Sequence, residues 1–269
     1  MSPPRFTVVT PVLNGARFLN DTIQSVVCQS EKSWEYFIVD GGSTDGSVEI
    51  AERAAAADSR IRVLAGRDRG MYDAILRGIA IGTGEVCYWI NSDDKVMPWA
   101  FAVVLRYLAS SGADWVTGMP GLWDAAGALH RVGAPRWYSR LLLRNGLFNG
   151  RALGWVQQES TFFTRRLLDR VPRCRLDAIG STSLAGDFLL WVEFAKQTRL
   201  HTVPTVLAGF RSHDGNASAS IDRYFAEVSE AGFWVPPAIV ANVMRLAYRP
   251  LALIAQRYFT TRYDRLWKP

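Results

Sequence analysis

Four continuous, largely apolar runs in the first 110 residues constrain the fold more than any other feature of the sequence. They are 6–12 (FTVVTPV), 34–39 (WEYFIV), 61–64 (IRVL) and 86–90 (VCYWI), and helical patterns follow them at 18–27, 48–57, 72–80 and 99–109. Because the apolar residues do not alternate with polar ones, helices are expected to cover both faces of the sheet. The sequence therefore predicts an α/β fold with a Rossmann-like, mostly parallel sheet flanked by helices.

The composition is that of a globular chain with one large domain and a C-terminal extension. Of the 269 residues, 49% are hydrophobic and 21% are charged, which excludes global disorder and a collagen-like structure. Three cysteines lie far apart without a CxxC spacing, so neither a zinc site nor a disulfide framework is predicted. We divide the chain into a strand-rich half at 1–110, a mixed half at 111–235 and a helical extension at 236–269.

The extension is basic and amphipathic. From residue 245 to the end, six basic residues stand against one acid, an excess close to the net charge of +6 of the whole chain. A helix with an apolar stripe and basic residues can lie on an anionic membrane surface. The alternative is a helix packed on the domain with its arginines in water. Pro250 is expected to interrupt this helix.

No segment of the sequence is expected to cross a membrane. The longest uncharged stretch, 231–244, has 14 residues, fewer than the roughly 20 that a spanning helix needs. No signal-peptide pattern precedes the first predicted strand. We therefore expect a cytoplasmic protein that can touch the inner face of the plasma membrane through its tail. Because the basic excess is confined to that tail and no nucleic-acid motif accompanies it, nucleic acid is not an expected partner.

Acidic residues follow three of the four predicted strands. Asp40 follows the second strand, Asp68 the third, and Asp93 and Asp94 the fourth. The carboxyl ends of parallel strands meet at one edge of a sheet, where ligands bind, so these carboxylates are expected to face one crevice. A divalent cation between carboxylates and phosphates would let an anionic nucleotide bind there. The alternative for each is an ordinary turn or helix cap.

The turn after the first strand disfavours two common nucleotide-binding folds. A phosphate loop needs GxxxxGK[ST], and a dinucleotide-binding fold needs GxGxxG at this position. The sequence has Leu13-Asn14-Gly15-Ala16-Arg17 instead.

Five short segments, in order over about 180 residues, resemble the family 2 glycosyltransferases. The segments are 10–14 (TPVLN), 39–45 (VDGGSTD), 68–74 (DRGMYDA), 91–94 (NSDD) and 185–191 (AGDFLLW). The resemblance implies a GT-A fold and an inverting, metal-dependent enzyme with a nucleotide-sugar donor. It implies a hexosyltransferase type of activity, with a UDP-sugar as the expected donor.

The resemblance also assigns roles to individual residues. Segment 91–94 stands at the DXD motif of the family with Asn91 in place of its first aspartate, so the metal role falls mainly on Asp93. His213, in segment 210–216, is a second candidate ligand of Mg²⁺ or Mn²⁺. The expected donor-binding residues are Pro11, Asn14, Asp40, Asp68, Asn91, Ser92, Asp94 and Arg211.

Asp187 matches the catalytic base of the family. An inverting transfer needs one carboxylate to take the proton of the acceptor hydroxyl as it attacks the anomeric carbon. The alternative is that Asp187 only caps the helix predicted at 187–197. Gln158 is a candidate near the acceptor. Trp137, Trp155 and Trp191 could stack on sugar rings, although a core position is favoured for most of the ten tryptophans.

The predicted function is transfer of a single sugar to a glycan or a lipid-linked acceptor in the synthesis of surface polysaccharides or glycolipids. The QxxRW motif of processive members is absent. A sugar nucleotidyltransferase is an alternative, but the first turn lacks the glycine-rich basic loop that it needs. A non-catalytic glycan-binding protein at the membrane surface is another. It is motivated by Asn91 and by Ile75, which replaces a common arginine of the family and leaves Arg77 as the nearest substitute.

Overall fold

The computed structural model describes residues 4–215 and 220–266, and within these ranges nine strands form one sheet. The strands are β1 Phe6–Val12, β2 Trp34–Asp40, β3 Ile61–Ala65, β4 Val86–Trp89, β5 Lys95–Val96, β6 Trp115–Trp123, β7 Leu129–Val132, β8 Thr161–Thr164 and β9 His201–Arg211. The helices are α1 Ala16–Val27, α2 Ser47–Ala57, α3 Met71–Ile81, α4 Ala100–Ser111, α5 Arg140–Arg144, α6 Arg165–Leu168, α7 Arg173–Gly180, α8 Gly186–Gln197, α9 Ile221–Glu230 and α10 Ala238–Leu266. A short 3₁₀ helix spans Gln158–Ser160.

The sheet has a parallel half and a mixed half. Its order is β3-β2-β1-β4-β8-β6-β9-β5, with β7 paired to β6. The first four strands in this order are parallel, as the apolar runs predict. β8 pairs antiparallel with β4 and β6, β6 runs parallel to β9, and β5 pairs antiparallel with β9. The second half therefore extends the predicted sheet with strands of both directions.

Two hydrophobic clusters, one on each face of the sheet, explain why the strands are apolar throughout. Val9 of β1 belongs to the cluster that includes residues of α3 and α8. Its neighbour Val8 belongs to the cluster that includes residues of α1 and α4. Because side chains alternate between the two faces of a strand, both sets of β1 residues must be apolar.

The C-terminal helix differs from the sequence prediction in two respects. α10 continues through Pro250, which lies inside it. Within the described part of the chain, Ala238–Ala255 is also long and apolar enough to cross a membrane by length and composition alone, with a mean hydropathy of 1.4. The sequence analysis counted only uncharged residues and so did not single out this stretch, in which two arginines interrupt residues that are apolar on average.

α10 has one face on the body and another that points outward. Ala241 is buried, while Met244 and Tyr248 pack against the body. The Tyr248 hydroxyl donates to the carbonyl of Trp137 at 2.8 Å, and the Arg245 guanidinium donates to that of Arg151 at 2.9 Å. Apolar side chains also lie on the exposed face, namely Ile239, Val243, Leu246, Leu253 and Ile254. Side chains are described up to residue 255, and Lys268 lies outside the described residues.

Candidate active site

Asp40 and Asp68 lie on either side of one glycine at the carboxyl edge of the sheet. β1 and β2 place Pro11 beside Val39 and Val12 beside Asp40. Oδ1 of Asp40 accepts hydrogen bonds from the amides of the two residues that follow Gly41, each at 2.9 Å. Its buried Oδ2 has no hydrogen-bond partner among residues 4–215 and 220–266. A Cβ on Gly41 would lie 2.9 Å from Oδ2 of Asp68, so that carboxylate packs directly on the glycine.

The structure uses Asn14 to hold two loops together. Asn14 has a positive φ of 54°, and its Oδ1 accepts a hydrogen bond from the amide of Thr44 at 2.9 Å. The backbone amide of Asn14 donates to Oγ of Ser43 at 2.9 Å. Asn14 was predicted to bind the donor, but its side-chain oxygen is already used in the loop that follows β2.

Asp93 and His213 meet at the end of β4. Oδ2 of Asp93 and Nε2 of His213 are 2.9 Å apart, and the imidazole packs on Phe18 with ring centroids 4.5 Å apart. Oδ1 of Asn91 is buried without a hydrogen-bond partner in the described ranges. Ser92 packs on Gly15, where a Cβ would lie 2.6 Å from its Oγ. Ser92 therefore presents its oxygen atom to the first loop, and Asp93 presents one to the His213 loop.

Asp94 and Arg211 lie beneath this pair. Asp94 is fully buried, and its Oδ1 accepts the backbone amide of Arg211 at 2.7 Å. The Arg211 guanidinium is 1% exposed, donates to Asp21 at 3.1 Å and lies 4.5 Å from the Phe18 ring. Both were predicted to contact the donor. In the structure both side chains are buried and their charged groups contact other parts of the protein, and a contact with the donor stays a prediction.

Asp187 lies in the first turn of α8, next to a tyrosine from the third motif. The Tyr72 ring packs on Gly186, where a Cβ would lie 2.4 Å from its Cγ. The Tyr72 hydroxyl lies 3.0 Å from the carbonyl of Leu184 and 3.3 Å from Oδ1 of Asp187. The amide of Phe188 donates to the same Oδ1 at 2.7 Å. Glycine is therefore needed before the aspartate, since any side chain would displace the ring that orients the carboxylate.

The surroundings of Asp187 favour a carboxylate that can exchange protons near neutral pH. Burial raises the pKa of Asp187 to about 6, and the hydrogen bonds from the Phe188 amide and the Tyr72 hydroxyl oppose part of that rise. A carboxyl group with such a pKa is suited to general-base chemistry. Its position as a simple helix cap does not account for the contact with Tyr72.

Two glutamates that sequence reasoning missed support this region. Glu227 of α9 accepts the amides of Leu184 and Ala185 at 2.9 and 3.0 Å, directly before α8. Glu159 is buried, and burial followed by the nearby charges of Asp187 and Asp93 raises its pKa. Glu159 adjoins Gln158, which the sequence had singled out. Gln158 itself is mostly buried and donates to the carbonyl of Trp89 at 2.8 Å, so its amide is engaged in the core.

Two of the three candidate tryptophans are packing residues. Trp191 is 3% exposed and stacks between Trp89 and Trp115, with centroid distances of 5.3 and 5.5 Å. Trp137 stacks on Tyr248 of α10 at 5.9 Å. Trp155, by contrast, is 41% exposed.

Comparison with known families decides the class of protein. The sequence model described as "Glycosyl transferase family 2" matches residues 7–150, more than half of the chain. The chain belongs to glycosyl transferase family 2. The match includes segments 10–14, 39–45, 68–74 and 91–94, and it ends before Asp187.

Curated relatives of this transferase align with part of its sequence. A PGL/p-HBAD biosynthesis glycosyltransferase of Mycobacterium bovis (strain BCG / Pasteur 1173P2) is 34% identical over 97 residues, which are 36% of this chain and 38% of the relative. The putative teichuronic acid biosynthesis glycosyltransferase TuaG of Bacillus subtilis is 34% identical over 93 residues, 34% of this chain and 37% of TuaG. The aligned part spans little more than a third of each relative.

Solved structures confirm the GT-A fold. TarS residues 1–349 of S. aureus, in complex with UDP-GlcNAc, has a TM-score of 0.63 at 13% identity over 90% of this chain and 70% of that one. The mannosyltransferase PcManGT of Pyrobaculum calidifontis, in complex with GDP-Man and Mn²⁺, has a TM-score of 0.60 at 18% identity. The match covers 100% of this chain and 82% of PcManGT. The mixed sheet with helices on both faces is thus the predicted architecture.

The contact between Tyr72 and Asp187 predicts a pH dependence. The predicted role of Asp187 as a base requires its ionised carboxylate, so under that prediction donor cleavage should fall on acidification with a midpoint near the Asp187 pKa of about 6. Tyr72→Phe removes a hydrogen bond that lowers this pKa, so the midpoint should rise by about 0.5 pH unit. The measurement is nucleoside diphosphate release from pH 5 to 8 at saturating metal. Tyr107→Phe, on the other face of the sheet, is the control, and an unchanged midpoint in Tyr72→Phe contradicts the assignment.

Proposed function

We propose that this family member is an inverting glycosyltransferase that moves one sugar from a nucleoside diphosphate donor to a hydroxyl of a glycan or lipid-linked acceptor. The observation that carries the proposal is the Asp187 carboxylate, oriented by Tyr72 and near Glu159, whose pKa also responds to Asp93. Because both aspartates influence the pKa of the same buried glutamate, these observations favour a single site that contains the base and the candidate metal ligand. A UDP-sugar is the proposed donor.

In the proposed reaction Asp187 takes the proton of the acceptor hydroxyl. The acceptor oxygen forms a bond to the anomeric carbon as the bond from that carbon to the diphosphate oxygen breaks on the opposite face. The bonding electrons leave with the nucleoside diphosphate, the configuration inverts, and Asp187 ends as a neutral carboxyl group. The Phe188 amide and the Tyr72 hydroxyl keep one carboxylate oxygen fixed, so the other is free to face the acceptor.

The donor pocket that we propose comprises Pro11, Asp40 and Asp68 at the nucleoside end, with Asn91 and Ser92 beside it. The buried, unpartnered Oδ2 of Asp40 would accept a hydrogen bond from the base or ribose. A buried acceptor without a partner costs free energy unless a ligand satisfies it. Asn14, Asp94 and Arg211 act instead by supporting the loops around this pocket.

Asp93 and His213 are the residues that would hold Mg²⁺ or Mn²⁺. The pair fits such an ion because a carboxylate oxygen and an imidazole nitrogen converge at 2.9 Å, and Mn²⁺ accepts both kinds of ligand. No cluster of three or more His, Cys, Asp or Glu ligands occurs in the described ranges, so phosphate oxygens and water would complete the coordination. Such an ion would neutralise charge that grows on the departing diphosphate.

The outward face of α10 supports the proposal that the acceptor lies at a membrane surface. Ile239, Val243 and Leu246 are 79%, 61% and 70% exposed, and the exposed Arg245 and Arg249 flank them. An apolar stripe beside arginines suits insertion into an anionic lipid surface. A cavity of about 510 Å³ between α10 and the body has mostly apolar lining, including Leu142 and Leu251. We propose peripheral attachment to the cytoplasmic face of the membrane and a role in polysaccharide or glycolipid synthesis, consistent with the names of the curated relatives.

Donor cleavage without acceptor tests the transferase proposal. UDP-, GDP- and dTDP-sugars are incubated with Mn²⁺ or EDTA, and nucleoside diphosphate release is measured. One nucleotide should be released in a metal-dependent manner, and Asp93→Ala should lose the stimulation by Mn²⁺. Asp187→Asn should lower the rate by at least ~10²-fold, the typical contribution of a general base.

Glu52→Ala, an exposed acid on α2, is the control for a change of charge. Failure of every sugar nucleotide to bind contradicts the proposal. Donor binding without turnover on water or any acceptor, unchanged by Asp187→Asn, favours the glycan-binding alternative. Release of pyrophosphate from a nucleoside triphosphate and a sugar phosphate favours the nucleotidyltransferase.

Sedimentation with lipid vesicles tests the membrane proposal. The wild type should bind vesicles of phosphatidylglycerol and phosphatidylcholine, and bind them more weakly at high salt. Val243→Glu with Leu246→Glu places acids on the exposed stripe and should abolish binding while donor cleavage in solution stays unchanged. Ile81→Glu, at an exposed position of α3, is the matched control. Equal binding by the double variant and the wild type contradicts the role of α10.

A further inference from the structure

Trp155 presents an exposed indole that the local backbone holds in place. A Cβ on Gly150 would lie 2.1 Å from Cζ2 of this indole, so the ring packs directly on the glycine. Gly150 and Gly154 have φ values of +84° and +88°, and the Gly150 amide donates to the Gly154 carbonyl at 2.9 Å. The ring is thus fixed on one side while the residue stays 41% exposed. A large aromatic surface held rigid and left in solvent suits a ligand.

Tyr224 connects this indole to the base. The Trp155 and Tyr224 rings contact each other edge to face, with centroids 4.8 Å apart. Tyr224 is 7% exposed, and its hydroxyl has no hydrogen-bond partner among the described residues. Burial, followed by the nearby charges of Asp187 and Glu227, raises its pKa. Glu227, one turn after Tyr224 on α9, accepts the amides of Leu184 and Ala185 directly before α8, so α9 brings this unpartnered hydroxyl to the end of α8 that carries Asp187.

The C-terminal helix holds the loop that carries Trp155. The Arg245 guanidinium of α10 donates to the carbonyl of Arg151, and the Arg151 guanidinium lies 4.4 Å from the Phe225 ring of α9. The Asn149 amide side chain donates to the carbonyl of Trp234, between α9 and α10, at 2.9 Å. Contacts with both helices thus fix the backbone on the N-terminal side of the indole.

We propose that Trp155 and Tyr224 form the subsite that binds the pyranose ring of the acceptor. This inference rests on the proposed transferase function, and it identifies a carbohydrate acceptor in place of an acceptor that offers only a lipid or peptide hydroxyl. The C–H face of a pyranose packs on the indole through dispersion and apolar contact. The Tyr224 hydroxyl donates to a ring substituent and satisfies its own buried hydrogen-bonding capacity. A sugar held by these two groups has a hydroxyl within reach of Asp187.

Titration with simple sugars tests the subsite by NMR. The protein is saturated with Mg²⁺ and the nucleoside diphosphate of the donor it cleaves, and methyl α- and β-pyranosides of glucose, galactose, mannose and N-acetylglucosamine are added. The indole N–H resonance of Trp155, identified by its loss in Trp155→Phe, should shift. The resonance of Trp99, which is 45% exposed and directly precedes α4, should stay in place. A Trp155 resonance that moves with none of the sugars overturns the subsite.

Kinetics separates the two members of the subsite. With the pyranoside that gives the largest shift as acceptor, Trp155→Ala should raise the acceptor KM by at least about tenfold. Tyr224→Phe, which removes only the hydroxyl, should raise it about threefold to tenfold. Trp99→Phe, outside the proposed subsite, should change neither the acceptor KM nor the rate of donor hydrolysis. An unchanged acceptor KM in both variants contradicts the proposal.

Binding of the nucleotide in the same titration distinguishes failure of the transferase proposal from failure of the subsite alone. If no nucleoside diphosphate shifts any resonance, the transferase proposal itself fails. If the nucleotide binds and turnover occurs, but the sugars leave Trp155 unaffected, only the subsite fails.

Discussion

The packing of Tyr72 on Gly186 is the contact on which the arrangement of the site depends. It joins the third sequence motif, at the edge of the parallel sheet, to the first turn of α8. The ring lies so close to the glycine backbone that no side chain fits there, and the hydroxyl reaches both the Leu184 carbonyl and Asp187. Glu227 holds the adjacent amides from the other side. Two independent anchors thus fix the turn that presents the carboxylate, which would limit the reorganisation needed for the proposed proton transfer.

The concentration of carboxyl groups around this contact gives the site its chemistry. Burial raises the pKa of Asp187, and burial together with neighbouring carboxylates raises those of Glu159 and Asp94. Acidic groups held close together in a region with little water favour a positive charge nearby. An anionic sugar nucleotide fits such a region when a cation lies between them, as the Asp93 and His213 pair allows. The same environment that repels a bare anion keeps Asp187 able to accept a proton near neutral pH.

Local sequence patterns predicted the framework well but not the partners of the side chains. β1 matches its predicted range, and β2 extends it by a single residue. The burial of Asp94 and Arg211 could not be predicted, since it depends on their mutual contact across 117 residues of sequence. The same holds for Tyr72 and Asp187, which are 115 residues apart. Pro250 was expected to interrupt α10, but propensity is a weak guide where a helix packs on a body through residues such as Ala241 and Tyr248.

The stereochemistry of donor hydrolysis tests the central claim most directly, because a single base opposite the leaving group can give only inversion. The wild-type protein is mixed with the α-linked sugar nucleotide that it cleaves, and the released sugar is followed by proton NMR before it equilibrates between anomers. The account predicts that the β anomer appears first and that Asp187→Asn releases it far more slowly. First appearance of the α anomer would contradict the account, because retention requires a different arrangement of catalytic groups around the anomeric carbon.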